Sequence, residues 1–142
     1  NRSQGFLTVP RHLCRTVPIL PFMVPVMPAT HAIIVADTHG RITQWNGGAE
    51  NLFGHRAEDA VGQSLDLVVP SHLREAHWAG FHRAMGNPEI KDMAADLPVL
   101  CADGEIRSFA GRLLVLSDGL GTAIGAMAIY SEHGSTGVHP FD

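Results

Sequence analysis

The stretch that most constrains the fold runs from Ala32 to Trp45. Two β-forming runs, Ala32-Ile33-Ile34-Val35-Ala36 and Arg41-Ile42-Thr43-Gln44-Trp45, flank the four residues Asp37-Thr38-His39-Gly40. Asp caps nearby amides with its side chain and Gly tolerates positive φ, so this segment predicts a β-hairpin whose second strand is half exposed. A lone hairpin is marginal in water and needs more strands or a covering helix.

The rest of the chain supplies both. Asn46-Gly47-Gly48 opens a short helix bearing Ala49, Leu52 and Phe53, Gly54 closes it, and Ala57 to Ala60 forms another turn of helix. Pro70-Ser71 introduces the best helix, from about His72 to Met85, in which Leu73, His77, Phe81 and Ala84 recur at helical spacing. Gly86-Asn87-Pro88 stops it. Three strands are then predicted: Met93 to Cys101, Glu105 to Leu116 after the Asp103-Gly104 turn, and Ala123 to Tyr130 after Ser117-Asp118-Gly119. The sum is an α+β domain, a five-stranded antiparallel sheet with short helices and one longer helix over one face.

The flanks read differently. Residues 1–28 hold Pro10, Pro18, Pro21, Pro25 and Pro28, which block helix propagation and predict an irregular arm. Residues 132–142 read as a polar tail. The apolar stretch Val17 to Met27, about 11 residues broken by three of those prolines, falls short of the roughly 20 a membrane helix needs. The expected location is cytoplasmic.

Composition narrows the function classes. With 142 residues, 45% apolar and 17% charged, the chain has enough apolar content for one core. A net charge of −4 argues against a polyanion-binding surface, so neither nucleic acid nor membrane is an expected partner. Cys14 and Cys101 are far apart and outside any CxxC or CxxCH pattern, which disfavours a disulfide scaffold, a thiolate zinc site and a covalently attached haem. No HExxH, P-loop or G-x-S-x-G occurs, and no enzymatic activity is expected.

Across residues 29–131 the chain resembles a PAS domain. The residues that carry the resemblance are Ala32 to Asp37 with Gly40, then Ile42 and Trp45-Asn46, Ala49-Glu50 with Leu52-Phe53-Gly54, Val61-Gly62-Gln63, Val69-Pro70, and Asp103-Gly104. The segment from Val69 to His77 further resembles haem-binding PAS sensors of the nitrogen-fixation kinase and direct-oxygen-sensor phosphodiesterase types, which run hydrophobic-Pro-x-x-x-Arg-x-x-His. The resemblance implies a haem b (iron protoporphyrin IX) sensor of a diatomic gas or of redox state, acting as a homodimer that signals to an effector. It also implies that His77 is the proximal iron ligand. Met93, ten residues before Asp103, matches the distal methionine of the phosphodiesterase type, and Arg83, six residues after His77, matches a propionate-binding arginine, with His82 or Arg74 assisting.

Haem is an apolar disc with carboxylates at one edge, so its site needs greasy walls, a neutral imidazole and cations at the rim. Ile90, Leu97, Val99, Leu113, Val115, Ile124 and Met127 are the wall candidates. A histidine on an apolar helix face is more often a packed core residue than a metal ligand, and it is the surrounding motif that favours ligation at His77. His72 and His82 fall on other helix faces and read as surface residues. Met93 read alone is core filler, and Cys101 reads as packing.

Departures from the family are informative. Ala95 stands where oxygen sensors place an arginine that holds O₂, which favours redox, CO or NO sensing over stable O₂ binding. Gly111 stands where a bulkier residue commonly lines the distal side, leaving expected space for a ligand. Tyr130-Ser131-Glu132 replaces the usual D-I-T motif. A cofactor-free PAS interaction module is the competing reading, and a flavin photosensor is disfavoured because the Asn-Cys-Arg-Phe-Leu-Gln segment is absent.

Overall fold

The computed structural model describes residues 31–88 and 92–140. The expected N-terminal arm, Cys14 and Ile90 lie outside the described residues. Strands β1 (His31–Ala36) and β2 (Ile42–Trp45) form the hairpin, followed by helices α1 (Gly47–Phe53) and α2 (Ala57–Ala60). Two 3₁₀ turns (Leu65–Leu67 and Ser71–Leu73) lead into helix α3 (Arg74–Gly86). Strands β3 (Asp92–Leu100), β4 (Ile106–Ser117) and β5 (Ala123–Ser131) complete a five-stranded sheet of order β2-β1-β5-β4-β3. Every strand pair is antiparallel.

Each element has a local cause. The Asp37 carboxylate accepts from the amides of His39 (2.9 Å) and Arg41 (3.0 Å), which closes the hairpin turn. Asn46 caps α1 by accepting from the Ala49 amide at 2.9 Å, and the same oxygen accepts from the Ile33 amide, so the cap also ties the helix to β1. A Cβ at Gly48 would overlap the His31 carbonyl, so only glycine permits α1 to lie this close to β1. The expected long helix from His72 is split. Its first turn is 3₁₀, with the Leu73 amide bonded to the Pro70 carbonyl at 2.9 Å, and regular α-helix begins at Arg74.

The sheet's inner face is shared unequally. Under α1 it is packed solid: Phe53 sits edge-on to Trp45, Phe109 and Tyr130 at centroid distances of 5.8, 5.3 and 5.0 Å. Cys101 is buried in this cluster, as packing. Under α3 the packing is open, and Phe81 is the only buried residue of that helix.

Candidate functional site

Helix α3 stands off the sheet because it is braced from its other side. The Trp78 indole Nε1 donates to the Asp66 carboxylate at 2.7 Å, and the ring lies against Gly40, where a Cβ would overlap it. Arg74 donates to the Val69 carbonyl at 3.3 Å and the Asp66 carbonyl at 3.2 Å. These bonds hold the helix to the 65–69 turn and to the hairpin, and no large side chain fills the gap beneath it. Ala76, Gly80 and Ala84, four residues apart, line that gap as a row of small side chains.

The result is a cavity of about 400 Å³, within the usual range for small-molecule sites. His77 and Arg83 line it from α3, and Met93, Leu97, Leu113 and Met127 line it from the sheet. The structure therefore brings all six of these sequence-derived candidates to one place. Met93 and Leu113 face each other across the β3–β4 ladder, and Met93 is 42% exposed, at the margin of the cavity. Val115 also lines it. Tyr130 borders it from the core side, where burial pushes its phenol up to about 12.

His77 is the unusual group. Its Nδ1 is buried without a hydrogen-bond partner, while the ring is held at 4.8 Å from Trp78 and 6.1 Å from Phe81. Burial lowers its pKa below the ordinary imidazole value, against an opposing pull from Asp66 and with a smaller contribution from His82. The ring is thus kept neutral, the form in which an imidazole nitrogen donates a lone pair. Among the described residues no three His, Cys, Asp or Glu side chains are grouped to hold a bare metal ion. One neutral imidazole in an apolar slot suits a metal whose other ligands arrive with it.

Several expectations are corrected. Ile124 is 55% exposed and not part of the wall, because the β4–β5 register shifts between Leu116 and Ser117. Val99 is buried, but it lies farther along β3 in the aromatic core. Gly111 leaves no free space, since Leu97 packs onto it so closely that a Cβ would come within 2.7 Å of Leu97 Cδ1. Arg74 is committed to the 65–69 turn. His82 is exposed and lines a separate open cleft with His39, Arg41, Ser64 and Trp78, so neither assists Arg83 at the cavity. Ala95 is fully buried in the core, and no arginine stands in its place.

Sequence reasoning missed Trp78, Asp66 and the tail. The Ala76-Gly80-Ala84 spacing was a readable signal of a helix face with room beside it. The tail's docking had no signal, since it depends on Asp96 of a distant strand.

Residues 28–130 match the PAS fold family. The chain is 36% identical over 78 residues to an uncharacterized protein of Azorhizobium caulinodans, covering 53% of this chain and 11% of that one. It is 26% identical over 73 residues to the oxygen sensor protein DosP of Escherichia coli, covering 50% and 9%. It is 34% identical over 61 residues to the sensor protein FixL of Bradyrhizobium diazoefficiens, covering 42% and 12%. The chain thus spans about a tenth of the length of these relatives. A solved PAS domain from Colwellia psychrerythraea matches with a TM-score of 0.64 at 25% identity, covering 74% of this chain and 87% of that one. The RpfR quorum-sensing receptor PAS domain of Cronobacter turicensis, solved with C12:0, matches at 0.60 with 15% identity over 78% of this chain and 100% of that one, a likeness of fold alone. Matched over most of its length and built on the sheet and helices described above, the chain belongs to the PAS family.

Proposed function

We propose that this PAS domain is a haem-b-binding sensor module that reports a diatomic gas (O₂, CO or NO) or redox state by conformational change, without catalysis. The observation that carries this reading is His77 itself, an imidazole that burial keeps neutral and that lines an apolar cavity. When bound, haem would supply an iron that can take an imidazole, a thioether or a diatomic gas as ligand.

The residues present fit that group. His77 would hold the iron, and the row Ala76-Gly80-Ala84 leaves room for a flat ring against α3. Arg83, exposed at the rim, would pair with a carboxylate through two parallel donors. Met93 would be the candidate thioether ligand. It lies near the start of edge strand β3, so its movement into or out of the cavity would displace that strand, a change a homodimer partner or an effector could read. No helix among the described residues is long and apolar enough to cross a membrane, and the proposed location is cytoplasmic.

An acyl ligand would use the same walls and Arg83 but would make no use of the His77 imidazole. The test is the absorption spectrum of haemin-loaded protein, oxidised, then reduced with and without CO, for wild type and His77→Ala. The expected result is stoichiometric uptake with a Soret band that shifts in the variant. Binding with an unchanged Soret in His77→Ala would overturn the ligand role. Dodecanoate uptake without haemin uptake would replace the cofactor.

A further inference from the structure

The chain does not simply trail away after β5. Ser131 ends that strand beside β1, and its neighbour Tyr130 pairs with Gly111 of β4, which in turn pairs with Ala95 of β3. From there the segment crosses to β3, the free edge of the sheet, and hooks onto Asp96. Asp96 lies between Ala95 and Leu97, which both face the core, so strand alternation puts its carboxylate on the outer face. That carboxylate accepts from the Ser135 hydroxyl, the Thr136 amide at 2.6 Å and the Thr136 hydroxyl at 2.8 Å. The Asp96 amide, pointing off the sheet edge, donates to the Val138 carbonyl at 2.7 Å. Two residues on, Pro140 lines the cavity on the inner face.

Residues 132–140 therefore run from the outer face, past the β3 edge, to the cavity. None of them is buried, so apolar packing does little to hold the segment down. Its attachment centres on Asp96, only 7% exposed, through three hydrogen bonds to the carboxylate, the Asp96 amide's bond to Val138 and His139 Nδ1 at 3.9 Å from the carboxylate. Charge-assisted bonds are strong enough to keep such a segment in place, and few enough to release it as a unit. The anchor also sits three residues from Met93 on the same edge strand.

We propose that residues 135–140 form a gate to the cavity, latched by Asp96, so that release of the latch opens the β3 side to incoming ligand. The gate acts on any apolar ligand, whether or not haem is the natural one. The latch also makes the tail's position sensitive to β3, the strand that carries Met93.

The test uses Nile red, an uncharged apolar dye, and stopped-flow fluorescence on wild type, Asp96→Asn and the Ser135→Ala/Thr136→Ala double variant. The double variant loses the two hydroxyl bonds to the carboxylate, and Asp96→Asn loses the charge and the acceptor that faces Ser135; each should raise the open population, and with it the rate of dye uptake, by about tenfold. Hydrogen exchange of the Thr136 amide should accelerate by a similar factor, about tenfold, while the β4–β5 ladder stays protected. The double variant leaves the sheet untouched, so a folding defect in Asp96→Asn does not obscure the result. Uptake rates within about twofold of wild type in a variant whose Thr136 amide is deprotected would overturn the gate. So would protection unchanged by either substitution, or no uptake in any of the three proteins.

Discussion

Replacing His77 with phenylalanine is expected to stabilise the ligand-free protein while removing its capacity to ligate iron. The wild-type ring carries one buried nitrogen with no partner, whose cost is about 1–3 kcal/mol. Phenylalanine keeps a ring of similar shape against Trp78 and Phe81, and the adjoining cavity accepts the small added volume, so overpacking does not offset the gain. The net expectation is a gain of about 1–2 kcal/mol, worth about 4–8 °C in Tm for a chain of this size. Thermal unfolding of haem-free His77→Phe beside wild type, followed by circular dichroism, measures it. Haemin titration of the same samples should show no histidine-ligated Soret band in the variant. Destabilisation by about 1 kcal/mol or more would mean that the imidazole serves packing or a hydrogen bond, and the argument from an unpaired nitrogen would fail.

Other substitutions probe the cavity and the latch. A Cβ at Gly80 meets only Arg83 Nη2 at 3.8 Å, so Gly80→Leu should fold, gain about 1 kcal/mol in helix propensity and lose haemin uptake by filling the slot; normal uptake would place the ligand elsewhere. Arg83→Gln should weaken haemin binding by about tenfold without changing iron ligation, read as affinity against an unchanged Soret position. The Asp96 carboxyl is held down to about 2, first by the Ser135 hydroxyl and then by the Thr136 amide and hydroxyl. Its folded value lies below the unfolded value of about 3.9, so the latch is fully formed above that pH and fades as pH falls through about 2. Carboxyl NMR titration should return about 2 for wild type and a value moved towards about 3.9 in the Ser135→Ala/Thr136→Ala variant; a wild-type value near 3.9 would refute the latch geometry.

Most of the scaffold was legible because its signals are local. Asp37 and Gly40 close a turn within four residues, Asn46 caps the helix that follows it, and strand alternation separates Leu97 and Leu113 from their outward-facing neighbours. The cavity residues His77, Arg83, Met93, Leu97, Leu113 and Met127 were reached from the sequence, chiefly through the family resemblance. The errors came where spacing carries no distance. Val99 has the same alternation as Leu97 yet lies under a different helix, and Ile124 follows a register shift that pattern reading does not register.

Hydrophobic pattern, turn residues and helix punctuation determine which segments form and which side of each is apolar, since those preferences act over a few bonds. Tertiary structure alone decided that α3 is propped away from the sheet by Trp78 and Arg74, that Leu97 closes the space over Gly111, and that Ser135 and Thr136 reach Asp96. Each of these depends on how rigid elements meet across tens of residues. A cavity and an unpaired nitrogen are consequences of what fails to meet there, and local sequence preferences do not encode them.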